Sequence, residues 1–316
     1  MLEDQEWTRQ RVVMRIRLAA LCVRWSPDGA MFAVGSSYKS LSVCHFEQQD
    51  AWWACKGLAR GVHKNSIVAV AWHPSSQLLA SACMDGHCRV LHAGAVDSAG
   101  APCQPICVAS KPGDVLLDVT TERGWCTAVA WSPSGRSLAF TAHECSVGII
   151  TAVDPTQTSP EAFRTVSEVR REVLPHLPMR TLGFLSEGRI VAAGFDGVPV
   201  LMTQDRDGSW RTSTVSSGRT HQGKVRAAPA RAVTDDFSSK LAMFRSPTPT
   251  KVPQSSESQA GHAAPHTNTI VELRVLPAAA GETSQRFSTC GWDGRIVVWD
   301  LAEKSGLIAA LRLHEP

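Results

Sequence analysis

Three segments of this chain repeat one order of residues, and a repeat of that kind limits the fold more than any other feature of the sequence. Each begins with an apolar run that ends in Trp-X-Pro, then makes a small-residue turn. A second apolar run rich in small residues follows, then a polar turn and a third apolar run. The segments are LCVRWSPDGAMFAVGSSYKSLSVCHF (21–46), VAVAWHPSSQLLASACMDGHCRVLHA (68–93) and TAVAWSPSGRSLAFTAHECSVGIITA (127–152). Trp25, Trp72 and Trp131 each precede a proline by two positions. Two further segments share the pattern with looser spelling. MRTLGFLSEGRIVAAGFDGVPVLMT (179–203) has Phe184 where the others have Trp. The stretch 270–301 ends in Trp299-Asp300 after a longer first turn.

Short apolar runs separated by Gly, Pro, Ser and Asp predict antiparallel strands. Proline has no N–H to donate to a ladder, so Trp-X-Pro marks the end of a first strand. Asp196-Gly197 and Asp293-Gly294 between apolar runs are hairpin signals, because glycine and aspartate tolerate positive φ. Asp85 and Glu144 fall at the same turn of their repeats. Small triplets such as Ala33-Val34-Gly35 and Ala192-Ala193-Gly194 suit strands packed close to a crowded axis. From Trp25 to Trp72 the spacing is 47 residues, from Trp72 to Trp131 59, and from Trp131 to Phe184 53. These exceed the ~40–45 residues of a compact propeller blade, so the connections carry extra chain. No strands alternate with long amphipathic helices. The predicted class is all-β, a β-propeller with five recognisable blades, and the Trp-Asp ending places it among WD-repeat propellers.

Hydrophobic residues make up 43% of the 316 positions and charged residues 19%, enough apolar side chain for a sizeable core. A net charge of +3 without clustered Lys and Arg argues against a nucleic-acid-binding domain. The stretch RQRVVMRIR (9–17) alternates cations with apolar residues and reads as an outer strand with one wet face. No run of eighteen apolar residues is present, and MLEDQEWTRQ lacks the pattern of a signal peptide. The expectation is a cytoplasmic chain whose ten cysteines stay reduced, with Cys22, Cys44 and Cys83 acting as small hydrophobes inside apolar runs.

Between 214 and 265 the repeat breaks. Residues 246–265 are rich in Pro, Ser and Gln and are expected to be flexible. Ahead of them Thr234 is placed to cap a helix. Asp235 and Asp236 sit at its positive end, and Lys240 and Arg245 at the other. Phe237, Leu241 and Phe244 fall on one face of that short amphipathic helix, near 234–245. It either folds back on the propeller or projects into a partner's groove. The expected organisation is a segment and outer strand over 1–18 and four repeats over 19–213. The helix-bearing insertion over 214–265 follows, then a last blade and tail over 266–316.

No catalytic constellation is visible: there is no G-x-S-x-G elbow, no phosphate-binding loop and no H-E-x-x-H. Cys103 and Cys107 have no second pair at metal spacing, so no zinc site and no cofactor are expected. His63, His143 and His266 stand at or before strand-linking turns, where polar side chains brace blades. The residues expected to hold the blades together are Trp25, Trp72, Trp131, Asp85, Asp196, Asp293 and Trp299.

Several runs are narrower than blade spelling. They include AALCVRWSP (19–27), FEQQDAWWACK (46–56), Trp72-His73-Pro74, Gly124-Trp125, Leu174-Pro175 before the fourth repeat and His266-Thr267-Asn268. With the helix-bearing insertion, they make residues 6–301 similar to the WD-repeat subunit (subunit 1) of the actin-related protein 2/3 complex. The resemblance implies a non-catalytic scaffold within the actin cytoskeleton. It also implies contacts with other subunits of the complex, the actin filament and nucleation-promoting factors, with Phe237, Leu241 and Phe244 on the actin-contacting helix. It further implies a seven-blade ring. Five blades are counted here, so the expectation is either a longer natural chain or a ring that closes differently. Two other function classes set their own requirements. A general WD-repeat adaptor that reads a peptide across the propeller face needs a ring of Arg or aromatic residues on the turns. An enzyme needs a His/Asp/Glu cluster in the central channel.

Overall fold

Every repeat delivers the three strands its spelling predicts and adds a fourth. The computed structural model describes residues 11–14, 16, 18–94, 111–121, 124–151, 169–215, 265–277 and 285–301, and the backbone of 307–312. The first blade holds β1 (Ala20–Trp25), β2 (Met31–Ser36), β3 (Leu41–Glu47) and β4 (Trp52–Leu58). The second holds β5 (Ile67–Trp72), β6 (Leu78–Cys83), β7 (His87–His92) and β8 (Val115–Thr120). The third comprises β9 (Cys126–Trp131), β10 (Ser137–Ala142), β11 (Ser146–Thr151) and β12 (Val169–Val173). The fourth comprises β13 (Met179–Ser186), β14 (Arg189–Gly194), β15 (Val200–Gln204) and β16 (Trp210–Thr214). The fifth comprises β17 (Ile270–Val275), β18 (Arg286–Gly291), β19 (Arg295–Asp300) and β20 (Leu307–Arg312). Each blade is a four-stranded antiparallel meander, so strands pair in sequence order. The five-bladed all-β propeller read from the repeats is the observed fold, with no helix among the described residues.

The first strands β1, β5, β9, β13 and β17 stand around one central channel and line its wall. In four blades the second strand is deeply buried: β2 and β6 are buried throughout, and β10 and β14 apart from their first residues. Small residues there are a steric requirement. A Cβ built on Gly35 would lie 2.7 Å from both Cys22 Sγ and Ile67 Cγ2 of the next blade. Because side chains alternate across a strand, each blade packs one face forward and one back. In the first blade, Met31, Ala33, Leu41 and Val43 pack against Ile67, Val70, Trp72 and Leu79 of the second.

Each first strand also carries an irregularity at its opening end. The register with the second strand shifts between Ala20 and Cys22, Ile67 and Ala69, Met179 and Thr181, and Ile270 and Glu272. In the third blade it shifts where Cys126 and Ala128 pair with β10. One residue per blade is thereby left outside the ladder: Leu21, Val68, Thr127, Arg180 and Val271. A bulge of this kind increases local twist and re-aims the extra side chain, and all five line the channel.

Two expectations meet the structure differently. Of the stretch 9–17 read as a strand, residues 11–14 are described and are not in a strand. Val12 and Met14 pack on the outer face of the first blade instead. The helix near 234–245, with Phe237, Leu241 and Phe244, lies outside the described residues, as do Cys103 and Cys107.

Candidate interaction surface

Polar turns between the second and third strands carry the acids singled out in the sequence, and each is tied to its own blade. In the fifth blade Asp293 accepts hydrogen bonds from the backbone N–H of Thr267 (2.8 Å) and Arg295 (3.1 Å). His266 Nδ1 lies 3.1 Å from both carboxylate oxygens, and its Nε2 lies 2.8 Å from Thr289 Oγ1. The Trp299 indole N–H donates to the same Thr289 oxygen at 2.8 Å. Burial pushes the Asp293 carboxyl up, but the N–H donors and His266 outweigh it and hold it below the usual range. Four residues thus lock a turn, a second strand and a third strand into one unit.

The second blade solves the same problem with different letters. His63 Nε2 is 3.0 Å from Ser81 Oγ, and Asp85 accepts from the Lys64 N–H at 2.9 Å. Leu91 occupies the place of the tryptophan, and the buried Arg89 braces the turn instead. Its guanidinium donates to both Asp85 oxygens (3.1 and 3.0 Å) and to Asp118 on β8 (3.1 Å). Burial and the neighbouring Arg89 push His63 down to about 4, so the ring stays neutral at neutral pH. In the fourth blade Asp196 accepts from the Leu177 N–H (2.9 Å) and meets His176 at 3.2 Å. Glu144 of the third blade accepts from Ser146 Oγ at 3.0 Å. His143, expected to brace a turn, instead packs beside Trp125 with ring centroids 5.3 Å apart.

Tryptophans at the end of the first strands join blade to blade. Trp72 donates its indole N–H to the carbonyl of Arg24 at 2.9 Å, and Trp131 donates to that of Ala71 at 3.2 Å. Both are 8% exposed. Trp25 holds the same place in the first blade, yet it is 57% exposed, as are much of Leu21 and Val23 beside it. Its contacts are with aromatic rings of its own blade: Phe32 at 5.2 Å and Trp53 at 5.6 Å. Phe46 packs on Trp53 at 5.5 Å, so the FEQQDAWWACK run forms the β3–β4 hairpin that carries this cluster. Neighbouring first strands pack side by side from β1 through β17, whereas β17 and β1 do not. Among the described residues the pair is joined by Arg24 Nη2 and Glu272 Oε1 at 2.8 Å.

The channel encloses a cavity of about 1280 Å³. Its charged lining residues are Arg24, Arg180, Arg274 and Glu272, and the glutamate is shared between Arg24 and Arg274 (2.8 and 3.2 Å). Trp125, Phe195 and Trp292 stand exposed at the end where the first strands begin, with Leu177 among them. Arg180 lies over the Trp292 ring at 5.2 Å. Among the described residues no group of three or more His, Cys, Asp or Glu gathers at a spacing suited to a metal ion. The eight described cysteines are free thiols, and burial pushes Cys22 and Cys83 up to about 11, far from a reactive range.

Sequence reasoning named Asp85, Asp196 and Asp293, which lie in turns, Trp72 and Trp131, which lie between blades, and Trp299, which lies in the fifth-blade core. It did not find Arg89 as a substitute brace, nor the channel mouth. The signal for Arg89 was a lone cation between Cys88 and Val90 in an otherwise apolar third strand. For the mouth, the signal was an aromatic or leucine one residue before a turn acid, or one or two before a first strand.

Comparison with known proteins adds relationship to this geometry. Residues 23–98 match the model of the anaphase-promoting complex subunit 4 WD40 domain, and residues 278–300 that of the WD domain, G-beta repeat. The chain is 34% identical over 310 residues to actin-related protein 2/3 complex subunit 1A of Arabidopsis thaliana, covering 95% of this chain and 75% of that protein. It is 34% identical over 308 residues to subunit 1 of the same complex from Schizosaccharomyces pombe, covering 94% and 77%. Among solved structures, the RRP9 WD40 repeats superpose with a TM-score of 0.59 at 14% identity, over 96% of this chain and 66% of that one, a likeness of fold alone.

Proposed function

The chain belongs to the actin-related protein 2/3 complex subunit 1 family, and on that premise we propose that it is a non-catalytic scaffold subunit of that complex. In this reading it supports actin filament nucleation and branching from the cytoplasm, through contacts with other subunits and with actin. The observation that carries the reading is the extent of the relationship: identity runs through all five blades rather than through one repeat. Blade spelling is shared by many propellers, and a match confined to it would speak for fold only. An exposed first-blade face built from Leu21, Val23 and Trp25 suits a subunit that is surrounded by others. Phe237, Leu241 and Phe244 are proposed as an actin-contacting helix face, on the strength of their helical spacing.

Tagged full-length chain purified from its own cells is expected to bring down actin-related proteins in stoichiometric amount. Replacing Phe237, Leu241 and Phe244 together by Ser is expected to leave that assembly intact and lower branch density in a filament assay. Purification without actin-related proteins would refute the scaffold assignment, and unchanged branching in the triple variant would refute the helix assignment. A second reading, an adaptor that takes a peptide across the propeller face, is favoured by one observation. Aromatic side chains from three blades stand exposed at the channel mouth.

A further inference from the structure

We propose that Cys44 and Cys55 form a reversible disulfide site, closed by a small soluble disulfide and opened by a small thiol. Cys55 on the edge strand β4 reacts first, and Cys44 on β3 completes the bond. The inference concerns the redox chemistry of the first blade and does not depend on the scaffold reading.

The first argument is register. Cys44 and Cys55 stand directly opposite each other where β3 pairs with β4. Opposite residues of an antiparallel pair have Cα atoms about 4.5 or 5.5 Å apart. Both values fall within the roughly 4.4–6.8 Å that a disulfide spans, so the bond forms without backbone movement. Opposite side chains also share one face of a sheet. Here that face carries the cluster of Phe32, Val34 and Cys44, with Cys55 packed against it. The two thiols hydrogen bond to each other.

The second argument is access. Cys44 is fully buried, while Cys55 is half-buried on the outermost strand of its sheet. A reagent in water therefore meets Cys55 and not Cys44. Cys88 of β7 and Cys126 of β9 also hydrogen bond through their thiols. That pair lies inside the seam between the second and third blades at 1% and 0% exposure, so the same reagent does not reach it. Burial pushes the Cys44 thiol up, and Cys55 beside it pushes in the same direction. Cys44 thus keeps its proton until its neighbour has been modified.

The third argument is the exchange chemistry, which balances in two steps with oxidised glutathione as the small disulfide. The Cys55 thiolate attacks one glutathione sulfur, a mixed disulfide forms, and the glutathione S–S bond breaks to release one thiolate. Cys55 then carries no charge, which removes part of what held the Cys44 proton in place. The Cys44 sulfur gives its proton to solvent and attacks Cys55 Sγ, expelling the second glutathione thiolate. Two electrons pass from the protein sulfurs to glutathione, and the two released protons end on its two thiols. The new bond ties the edge strand β4 to β3. It pins Trp53 of that strand, whose ring packs on Trp25 and Phe32 at 5.6 and 5.0 Å.

The test uses the full chain in its purified assembly, equilibrated under argon with mixtures of reduced and oxidised glutathione. After acid quenching and alkylation in denaturant, trypsin releases residues 40–56 as one peptide that holds both cysteines. The expected product is that peptide short of two hydrogens and without an alkyl group, while Cys88 and Cys126 are alkylated. Raising total glutathione about tenfold at a fixed ratio of its two forms is expected to lower the ratio of bridged to open peptide about tenfold, because two thiols are released per disulfide consumed. A glutathione adduct on a single thiol such as Cys145 stays constant under the same change. Cys44→Ala is expected to leave glutathione on Cys55, and Cys55→Ala to leave Cys44 unmodified. A peptide 40–56 that keeps both thiols, or that carries glutathione without an internal bond, would overturn the proposal. So would a glutathione adduct on Cys44 in Cys55→Ala. Should Cys44→Ala fail to enter the assembly, the dependence of the unaltered chain on total glutathione decides by itself. An assembly that forms normally but never bridges the pair removes this inference and leaves the scaffold reading standing.

Discussion

The seam between the second and third blades and the gap between the fifth and first are built from the same repeat, yet they differ in almost every physical respect. At the closed seam Val129 and Trp131 meet Leu78, Ala80 and Val90 in one apolar cluster, and the indole N–H of Trp131 reaches the Ala71 carbonyl. His73 adds a ring contact with Trp131 at 4.8 Å, made possible by Gly135, where a side chain would collide with the imidazole. At the other place the equivalent Trp25 faces outward, and among the described residues the ion pair of Arg24 with Glu272 joins the two blades. Identical local spelling therefore does not assign burial. A tryptophan contributes to stability only where the neighbouring blade supplies a surface to bury it against.

The comparison can be broken by exchanging the two tryptophans for alanine. Trp131→Ala is expected to cost about 3–5 kcal/mol, the range for a buried aromatic, and to lower the melting temperature sharply. Trp25→Ala is expected to cost about 1 kcal/mol or less, because more than half of the side chain is already in water. Equal losses in a denaturant titration would show that the first-blade face is buried in solution.

A bracing acid should rank next. Asp293→Ala leaves the buried His266 without its acceptor, and an unsatisfied buried polar group costs about 1–3 kcal/mol. Asp196→Ala, at a half-buried turn with fewer donors, should cost less. Reversal of that order in thermal melts would contradict the assignment of the fifth blade as the more completely braced.

Acidity probes the second blade. His63 is held near 4 in the folded chain, below the 6.5 of an ordinary imidazole, so the unfolded chain binds the proton first. Stability is then present above about pH 6.5 and declines as the pH falls toward 4. His73 and His92, both lowered by burial, act in the same direction, and Asp85 and Asp293 add losses only below the ordinary carboxylate range. A loss on the order of 1–2 kcal/mol is expected by pH 5 from the imidazole shift. A melting temperature that stays flat between pH 7 and 5 would rule out the neutral buried histidines.

The ion pair across the gap is the weakest contact. Arg24 and Glu272 are each about a third exposed, so a double-mutant cycle is expected to return roughly 0–1 kcal/mol, shrinking at 0.5 M salt. A coupling of several kcal/mol would mean that this pair, rather than the closed seams, holds the five blades in one ring.

Much of the blade was legible in residue order. Trp72-His73-Pro74 ends β5 where proline halts the ladder, and Asp196-Gly197 and Asp293-Gly294 turn the hairpins they were read as turning. The fourth strands escaped notice for a physical reason. β4, β12 and β16 lie at the outer edge with one side to solvent, so their letters follow no repeating apolar rule. The candidate site was less legible. Trp125, Phe195 and Trp292 are 167 residues apart from first to last in the chain, and nothing local says that their rings share one end of a channel. Arg180 reads as an ordinary polar position of a strand until the register shift that expels it is seen.

By itself, the order of residues determined the first three strands of each blade, their turns and the count of five blades, because backbone hydrogen bonding and side-chain alternation act over a few residues. The ring decided which tryptophan is buried, which cation is left without an acid and where three blades present their aromatics together. Those properties depend on the distance between residues from different blades, and only the packing of blade against blade sets that distance.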